Sequence, residues 1–436
     1  MIFPANPTNS NLPFNLVRAF NIITSNPKAT DFSTDVISYR IGTHRVHAPD
    51  VTLEKVKPMM AAMGITRIAD VTGLDTIGIP VVMVYRPNSR SVSVSQGKGN
   101  NLAAAKASGL MESVEGFHAE NISLPLRIAS ATDIEHTCDI VALETLPRVD
   151  GSLFNEHYPV TWIESVDLIS DKEFWLPYEL VHTNYTYPRP SGSGCFPASS
   201  NGLASGNNIA EATVHGICEV IERDAVSLWH QSGALFIDLT SIDPLTIDNP
   251  MCIETMRKLD QAGQDVFIWD ITTDNQIPTY FTVITDRNSH TRHIGVGSGT
   301  HLSREIALLR AMHEAVQVRT TYIVGARDDI TVDEYTDQGI SAKHDFFGEL
   351  IRQSSFSTPY PQTMDLDSNS VEDDLLMLLD KLQATGITQV LQVDLKKPEF
   401  DIAVVRIVIP GLETPHDDDG YVPGERALKA QAKAHE

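Results

Sequence analysis

The sequence predicts an α+β fold, in which mixed and antiparallel sheets carry a small set of helices. Three observations point there. Short β-rich runs punctuated by Gly and Pro begin at Gly64, in GITRIADVTGLDTIGIPVVMVY. DVFIWDIT and TYFTVITD alternate polar and apolar residues as paired strands do. Three Ala- and Leu-bearing segments then repeat apolar residues at helical spacing, each after a glycine-containing stretch.

Taken in order, residues 1–63 are rich in Pro, Asn and Ser and read as an irregular or partly helical lead-in. The packed domain is expected over 64–413. Within it, SQGKGNN opens a helix from Asn101 to Glu120, residues 125–185 read as short strands and loops, and SGSGCFPASSNGLASGNN feeds a helix from Ile209 to Trp229. The paired strands follow, then GVGSGTH and a helix from Ser303 to about Thr321. A Ser/Asp-rich linker, a helix over Val371–Ala384 and a strand pair ending in VVRIVIPG lead to a tail over 414–436. No internal repeat of fixed period is visible.

Bulk properties exclude several functions. With 436 residues and a net charge of −24, the chain is too acidic for a nucleic-acid or anionic-membrane binder, which would cluster Lys and Arg. Its four cysteines form no C-x-x-C pair, so buried free thiols are expected rather than a zinc site or a redox dithiol. MIFPANPTNSNLPFN lacks a basic stretch followed by an apolar one, and the apolar runs are too short to span a bilayer. A cytoplasmic location is expected.

The chemistry concentrates on the helices. On a wheel of about 100° per residue, Glu211, His215, Glu219 and Glu222 share one side of their helix. Ser108, Glu112 and Glu115 line up on another, and Arg310, Glu314 and Gln317 on a third. By itself such a stripe fits a solvated acidic face or the wall of a site. A solvated face usually sets Lys four residues from Glu, whereas Arg223 is the one Lys or Arg between Ile209 and His230.

If two stripes face each other, Glu112, Glu115, Glu219 and Glu222 crowd into one volume. Two like charges about 4 Å apart repel by about 4 kcal/mol at an effective dielectric of about 20, so the cluster needs a cation. Carboxylates without Cys or clustered His are hard ligands that suit Mg²⁺, which commonly bridges a protein to phosphates. Lys98 in the GKG turn and Asn207 before the next helix stand where phosphate oxygens could be held, which points to a nucleotide. No P-loop, dinucleotide fingerprint, H-E-x-x-H or G-x-S-x-G occurs, so an ATP site here must be of another kind.

These segments resemble the YcaO family of ATP-dependent peptide-backbone modifying enzymes. The matching stretches are GITRIADVTGLDTIGIPVV, SGLMESVEGFHAE, SNGLASGNNIAEATVHGICEVIERDA, LLRAMHEAVQVRTTYIVGARDD and VVRIVIPGLE, in the family's order over about 64–413. The resemblance implies a YcaO-type fold, with ATP and Mg²⁺ held by carboxylates on helices. It implies Ser108, Glu112, Glu115, Asn207, Glu211, Glu219, Glu222 and Gln317 as the nucleotide and metal shell, with Lys98, Arg223, Arg319 and Arg327 as phosphate contacts. It assigns no catalytic side chain.

The activity implied is phosphorylation of an amide oxygen coupled to nucleophilic attack on the amide carbon of a ribosomally made peptide or protein. Cys, Ser or Thr as nucleophile gives an azoline, an external sulfide a thioamide, an amine an amidine. Azoline-forming members often end in a proline-rich tail, whereas this sequence ends GERALKAQAKAHE, which argues against that route. Gly116 replaces the arginine common after the second glutamate, and E-G-F-H-A-E looks like members that form thioamides with a TfuA-type partner. A separate partner protein and a homodimer are therefore expected. The alternatives are an azoline-forming cyclodehydratase and a non-catalytic accessory factor of a ribosomal-protein methylthiotransferase.

Overall fold

A computed structural model describes residues 36–233, 238–287, 294–356, 358–363, 365–416 and 420–434. The first 35 residues of the lead-in, Asp417–Asp419 of the HDDDGY turn and the last two residues of the tail lie outside the described residues.

The chain first forms α1 (Pro49–Val56), with Pro in the first turn, where its missing N–H costs no helical hydrogen bond. β1 (Arg67–Asp70), β2 (Val81–Tyr85) and β3 (Val94–Lys98) make an antiparallel sheet in that order, with Val81 to Val84 fully buried. α2 (Leu102–Glu120) follows, its N-cap Asn101 accepting the Ala104 N–H at 2.8 Å. β4 (Leu126–Ala129), β5 (Val160–Asp167), β6 (Lys172–Pro177) and β7 (Leu203–Gly206) belong to a second sheet. α3 (Ile209–Gln231) is capped in the same way by Asn208, which accepts the Glu211 N–H at 2.8 Å.

After α4 (Pro250–Gln261), β8 (Gln264–Asp270), β9 (Thr279–Asp286) and β10 (Gly295–Thr300) form a third, antiparallel sheet in the order β10-β9-β8. α5 (Arg304–Val324) ends at Gly325, whose φ of 60° suits glycine. α6 (Asp337–Gln353), α7 (Val371–Ala384), β11 (Leu391–Asp394), β12 (Ala403–Val408) and α8 (Glu425–Ala434) complete the chain. β11 and β12 enter the middle of the second sheet, whose order is β4-β5-β11-β12-β7 with β6 beside β5.

One unit recurs three times: a glycine-bearing strand leads directly into a helix that lies on it, as β3–α2, β7–α3 and β10–α5. Small residues set the distance. A Cβ on Gly97 of β3 would collide with Ala105 O and Gly109 N of α2, and one on Gly297 of β10 with Ala311 O and Ala315 N of α5. With the apolar face pressed onto its own strand, each helix turns its polar stripe the other way. The three stripes meet between the units.

The predicted helices and both strand pairs are present, the α+β class holds, and the four cysteines are free thiols. Three helices, α4, α6 and α8, were not anticipated. In α4 only Cys252, Thr255 and Leu259 are buried, and in α6 only Ile340 and Leu350, yet both segments carry an amphipathic helical period that the sequence reading passed over. Contacts cross the expected edges at 64 and 413. Ile37 and Val46 pack with Ala210 and Val371, and α8 is clasped to α3 by Arg426, which donates to Asp224 at 3.0 and 3.1 Å and to Asp274 at 2.7 Å.

Candidate functional site

Where the three stripes meet, the structure has a cavity of about 530 Å³. Ser108, Glu112 and Glu115 reach it from α2, Glu211, Glu219, Glu222 and Arg223 from α3, and Gln317 from α5, with Lys98 from the end of β3 and Asn207 and Arg327 from the connecting stretches. Eleven of the twelve expected site residues line it. Arg319 does not. Two positions beyond Gln317, about 200° round the helix, it is buried against Asp75 at 2.9 Å and Asp286 at 3.6 Å. Its expected phosphate contact is corrected to a structural ion pair.

The carboxylates are held in a strained electrostatic state. Burial, opposed by hydrogen bonds from Ser205 and reinforced by Glu112 and Glu219, pushes Glu115 up to about 8. Its Oε1 accepts the Ser205 N–H at 2.8 Å and hydroxyl at 2.6 Å. Burial, opposed by Arg223 and reinforced by Glu222, pushes Glu219 up to about 7. Glu112 is raised by burial within the protein mass against the pull of Arg327 and Lys98, although its side chain stands open to the cavity's water, which tempers the effect. These groups resist ionising unless a cation arrives.

The remaining acids are differently placed. Glu222 accepts the Ser298 hydroxyl and the Thr300 N–H, both at 2.9 Å, and so ties α3 to β10. Glu211 accepts Val46 N–H at 2.8 Å and Asn207 Nδ2 at 2.9 Å, with Arg45 Nε 3.8 Å away. Its oxygens are engaged in holding Arg45 and Asn207 at the cavity. Burial opposes ionisation of Glu314, but Lys98, at 2.9 Å, outweighs it and holds the carboxyl below its ordinary range.

Among the described residues, no three His, Cys, Asp or Glu side chains stand close enough to make a ready metal cage. The four glutamates line the cavity from two helices and do not converge on one point. That arrangement fits Mg²⁺, which keeps several waters and takes one or two carboxylates together with phosphate oxygens. Hard oxygen donors whose ionisation is suppressed in the free protein are the donor set such an ion stabilises.

The sequence reading missed several lining residues. Arg45 and Thr52 come from the stretch read as lead-in, and Thr52 donates to Asn207 at 2.8 Å. A single arginine in RVHAPD, with no periodicity around it, gives no signal. Gln96, whose Oε1 accepts Gln317 Nε2 at 2.9 Å, sits on a strand that read only as β-rich. Arg310 and His215, seen on the wheels but not placed in the site, also line it, 3.3 Å apart. Burial first, then Arg310 and Arg45, hold His215 well below its ordinary value, so it is neutral.

Residues 96–413 match the family model described as YcaO cyclodehydratase, ATP- and Mg²⁺-binding. An uncharacterized protein in the tfuA 3′ region of Rhizobium leguminosarum bv. trifolii is 33% identical over 392 residues, covering 88% of this chain and 92% of its own length. The YcaO structure from Methanopyrus kandleri bound with AMPPCP and Mg²⁺ superimposes with a TM-score of 0.70 at 20% identity, over 90% of this chain and 99% of that one. A heterocyclase in complex with substrate and cofactor also gives 0.70, at 21% identity, over 88% of this chain and 55% of the heterocyclase. The mixed helix and antiparallel-sheet architecture, the matched span and the kinship over most of both chains lead to one conclusion: the protein belongs to the YcaO family.

Proposed function

We propose that the protein uses ATP and Mg²⁺ to activate a backbone amide of a ribosomally made peptide or protein, and that a TfuA-type partner brings the sulfur for a thioamide. The observation that carries the activation step is that carboxylates from two helices line one cavity together with Lys98, Arg45 and Arg310. Its volume of about 530 Å³ is in the range of small-molecule and cofactor sites.

Glu112, Glu115, Glu219 and Glu222 are the residues that would hold the metal, and Lys98, Arg223 and Arg327 those that would meet phosphate oxygens. Mg²⁺ would neutralise phosphate charge and stabilise the transferring phosphoryl group. Glu222, tied to β10, and Glu115, tied to Ser205, keep the α2 and α3 walls at fixed separation. Neutral His215 adds no charge beside the two arginines.

An amide oxygen is a poor leaving group, and the chemistry removes it as phosphate. Hydrosulfide adds to the amide carbon and the oxygen takes the γ-phosphoryl group of ATP. Phosphate then departs with that oxygen and with the sulfur's proton, leaving C=S and ADP. Kinship to a protein in a tfuA 3′ region, together with Glu115–Glu120 reading E-G-F-H-A-E, favours sulfide as nucleophile. Azoline formation is the second reading, favoured by the family model's description as a cyclodehydratase.

The test combines the purified protein, a TfuA-type partner and a candidate peptide. Thioamidation exchanges oxygen for sulfur, whereas cyclodehydration loses water, and mass spectrometry separates the two. ATP consumption that depends on peptide, and its loss in Glu219→Ala, are expected. Peptide modification without ATP use, or an unchanged Glu219→Ala, would sink the reading. The absence of any peptide-dependent ATP turnover would favour an accessory factor.

A further inference from the structure

Beside the cavity lies a second, much smaller pocket of about 20 Å³, lined by His44, Arg45, His215, Thr300, His301 and Arg310 among others. Arg45, His215 and Arg310 line both spaces, whereas His44, Thr300 and His301 belong to the small one alone. A void of about 10–15 Å³ is enough for one water. This pocket therefore takes a single non-hydrogen atom and excludes a phosphate or a peptide group.

Its charges are unevenly matched. Among the described residues the Arg310 guanidinium hydrogen-bonds only to His215 Nε2, at 3.3 Å, and has no carboxylate at ion-pair distance. The two acids in the lining are engaged elsewhere. Glu211 takes the Val46 N–H and Asn207, with Arg45 at 3.8 Å, while Asp374 accepts the Ser368 N–H at 2.6 Å and is pushed toward its neutral form by burial. Arg310 is left as the uncompensated cation.

His301 supplies a donor beside it. Burial first, then His44, Arg310 and Arg45, hold this histidine well below its ordinary value, so the ring is neutral. Its Nδ1 accepts the Ser303 N–H at 2.9 Å, which leaves the ring proton on Nε2. That donor finds no acceptor among the described residues and, unlike His215 Nδ1, is not closed off by packing. Val214, Val371 and Cys218 supply apolar and sulfur surface, and burial pushes the Cys218 thiol up to about 12, so it stays uncharged. Charged and neutral donors beside soft surface suit a large, polarisable anion better than water.

We propose that this pocket binds a single-atom anion, and that in the reaction the anion is hydrosulfide, held by Arg310 and His301 next to the cavity in which the amide is activated. The proposal rests on the thioamide reading above and keeps its balance: the S–C bond forms on addition, the C–O bond then breaks, and phosphate carries away the oxygen and the sulfur's proton. A space of its own lets the sulfur wait without displacing the nucleotide.

Bromide, close to hydrosulfide in size and charge, serves as the probe. In crystals of the full chain with Mg²⁺–AMPPCP, soaked in sodium bromide, an anomalous-scattering peak is expected in this pocket. In mildly alkaline solution, where sulfide is largely the monoanion, the broadening of the bromide NMR line by the protein should be reversed by sodium hydrosulfide. His301→Phe should raise the hydrosulfide midpoint at least about tenfold, the worth of one hydrogen bond to a charged group, while calorimetry shows the same Mg²⁺–AMPPCP affinity in both proteins. Should that variant fail to fold, Val214→Leu, which adds a methylene at the pocket wall, should raise the midpoint instead. Bromide that hydrosulfide does not displace is an adventitious ion only and overturns the proposal, as do a pocket holding water alone and a variant that binds as the wild type does. Hydrosulfide bound in the pocket while mass spectrometry of the reacted peptide shows loss of water without gain of sulfur overturns the thioamide reading instead, so the two failures are told apart.

Discussion

Glu115 shows at the scale of one residue how the site stores its need for a cation. Its pKa is raised from 4.5 to about 8, so between those values the folded protein keeps a proton that the unfolded chain has released. Stability should therefore fall as pH rises through that window and level off above it. Glu115→Gln should stabilise the ligand-free protein at pH 8 by on the order of 1 kcal/mol after discounting for water in the cavity, read as a higher thermal midpoint, with the gain vanishing near pH 4.5. With Glu219 at about 7, apparent Mg²⁺ affinity in the presence of AMPPCP should rise as pH rises from about 6 to 8, because the ligands must first lose protons. Calorimetry across that range checks it. The sequence showed these glutamates because helical spacing put them on one face, and lysines were missing. It misplaced Arg319 because proximity along the chain to Gln317 says nothing of the opposite side of the helix. His44 and His301 stayed invisible because their place depends on distant chain segments meeting.

At the scale of elements, the glycine strands fix the site. Gly97→Ala should push α2 off β3, costing roughly 2–3 kcal/mol as overpacking does, and should weaken AMPPCP binding because Glu112 and Glu115 move with the helix. Urea midpoints and calorimetry read the two effects. The clasp of α8 makes a separate case. Burial pushes Asp224 up to about 6 even with Arg426 beside it. Arg426→Ala should cost roughly 3 kcal/mol at pH 8 by leaving a buried charge alone, and much less at pH 5, where the carboxyl can stay protonated in the fold. Equal losses at both pH values in urea denaturation would contradict this account. The three long helices were legible because each shows many apolar repeats. α4 and α6 were passed over although each carries an amphipathic period, because few of their side chains are fully buried and no chemistry-bearing stripe drew attention to them.

For the whole molecule, the expected start of the domain at residue 64 and the matched span beginning at 96 both leave out part of the cavity wall. The full chain should be stabilised by Mg²⁺–AMPPCP, by about 2.7 kcal/mol at 100 times Kd by mass action, and a chain beginning at residue 64 should not, because Arg45 and Thr52 are gone. Paired thermal melts with and without nucleotide check it. Among the described residues, no helix is long and apolar enough to cross a membrane. The α+β class and the family were readable from local patterns. The docking of the lead-in onto Glu211 was not, for the Val46 N–H and Arg45 that meet it stand about 165 positions away along the chain with no periodic pattern around them.

The strand-and-helix unit used three times has a mechanical consequence. A helix whose backbone rests on a glycine strand cannot tilt inward without atoms overlapping, nor outward without opening a void. The cavity is therefore a vice with fixed jaws: peptide and nucleotide must be threaded to it, and any closing motion is left to the connecting stretches that carry Asn207 and Arg327. Variation among such proteins should then accumulate in what is fed to the jaws, and hardly at all in the distance between them.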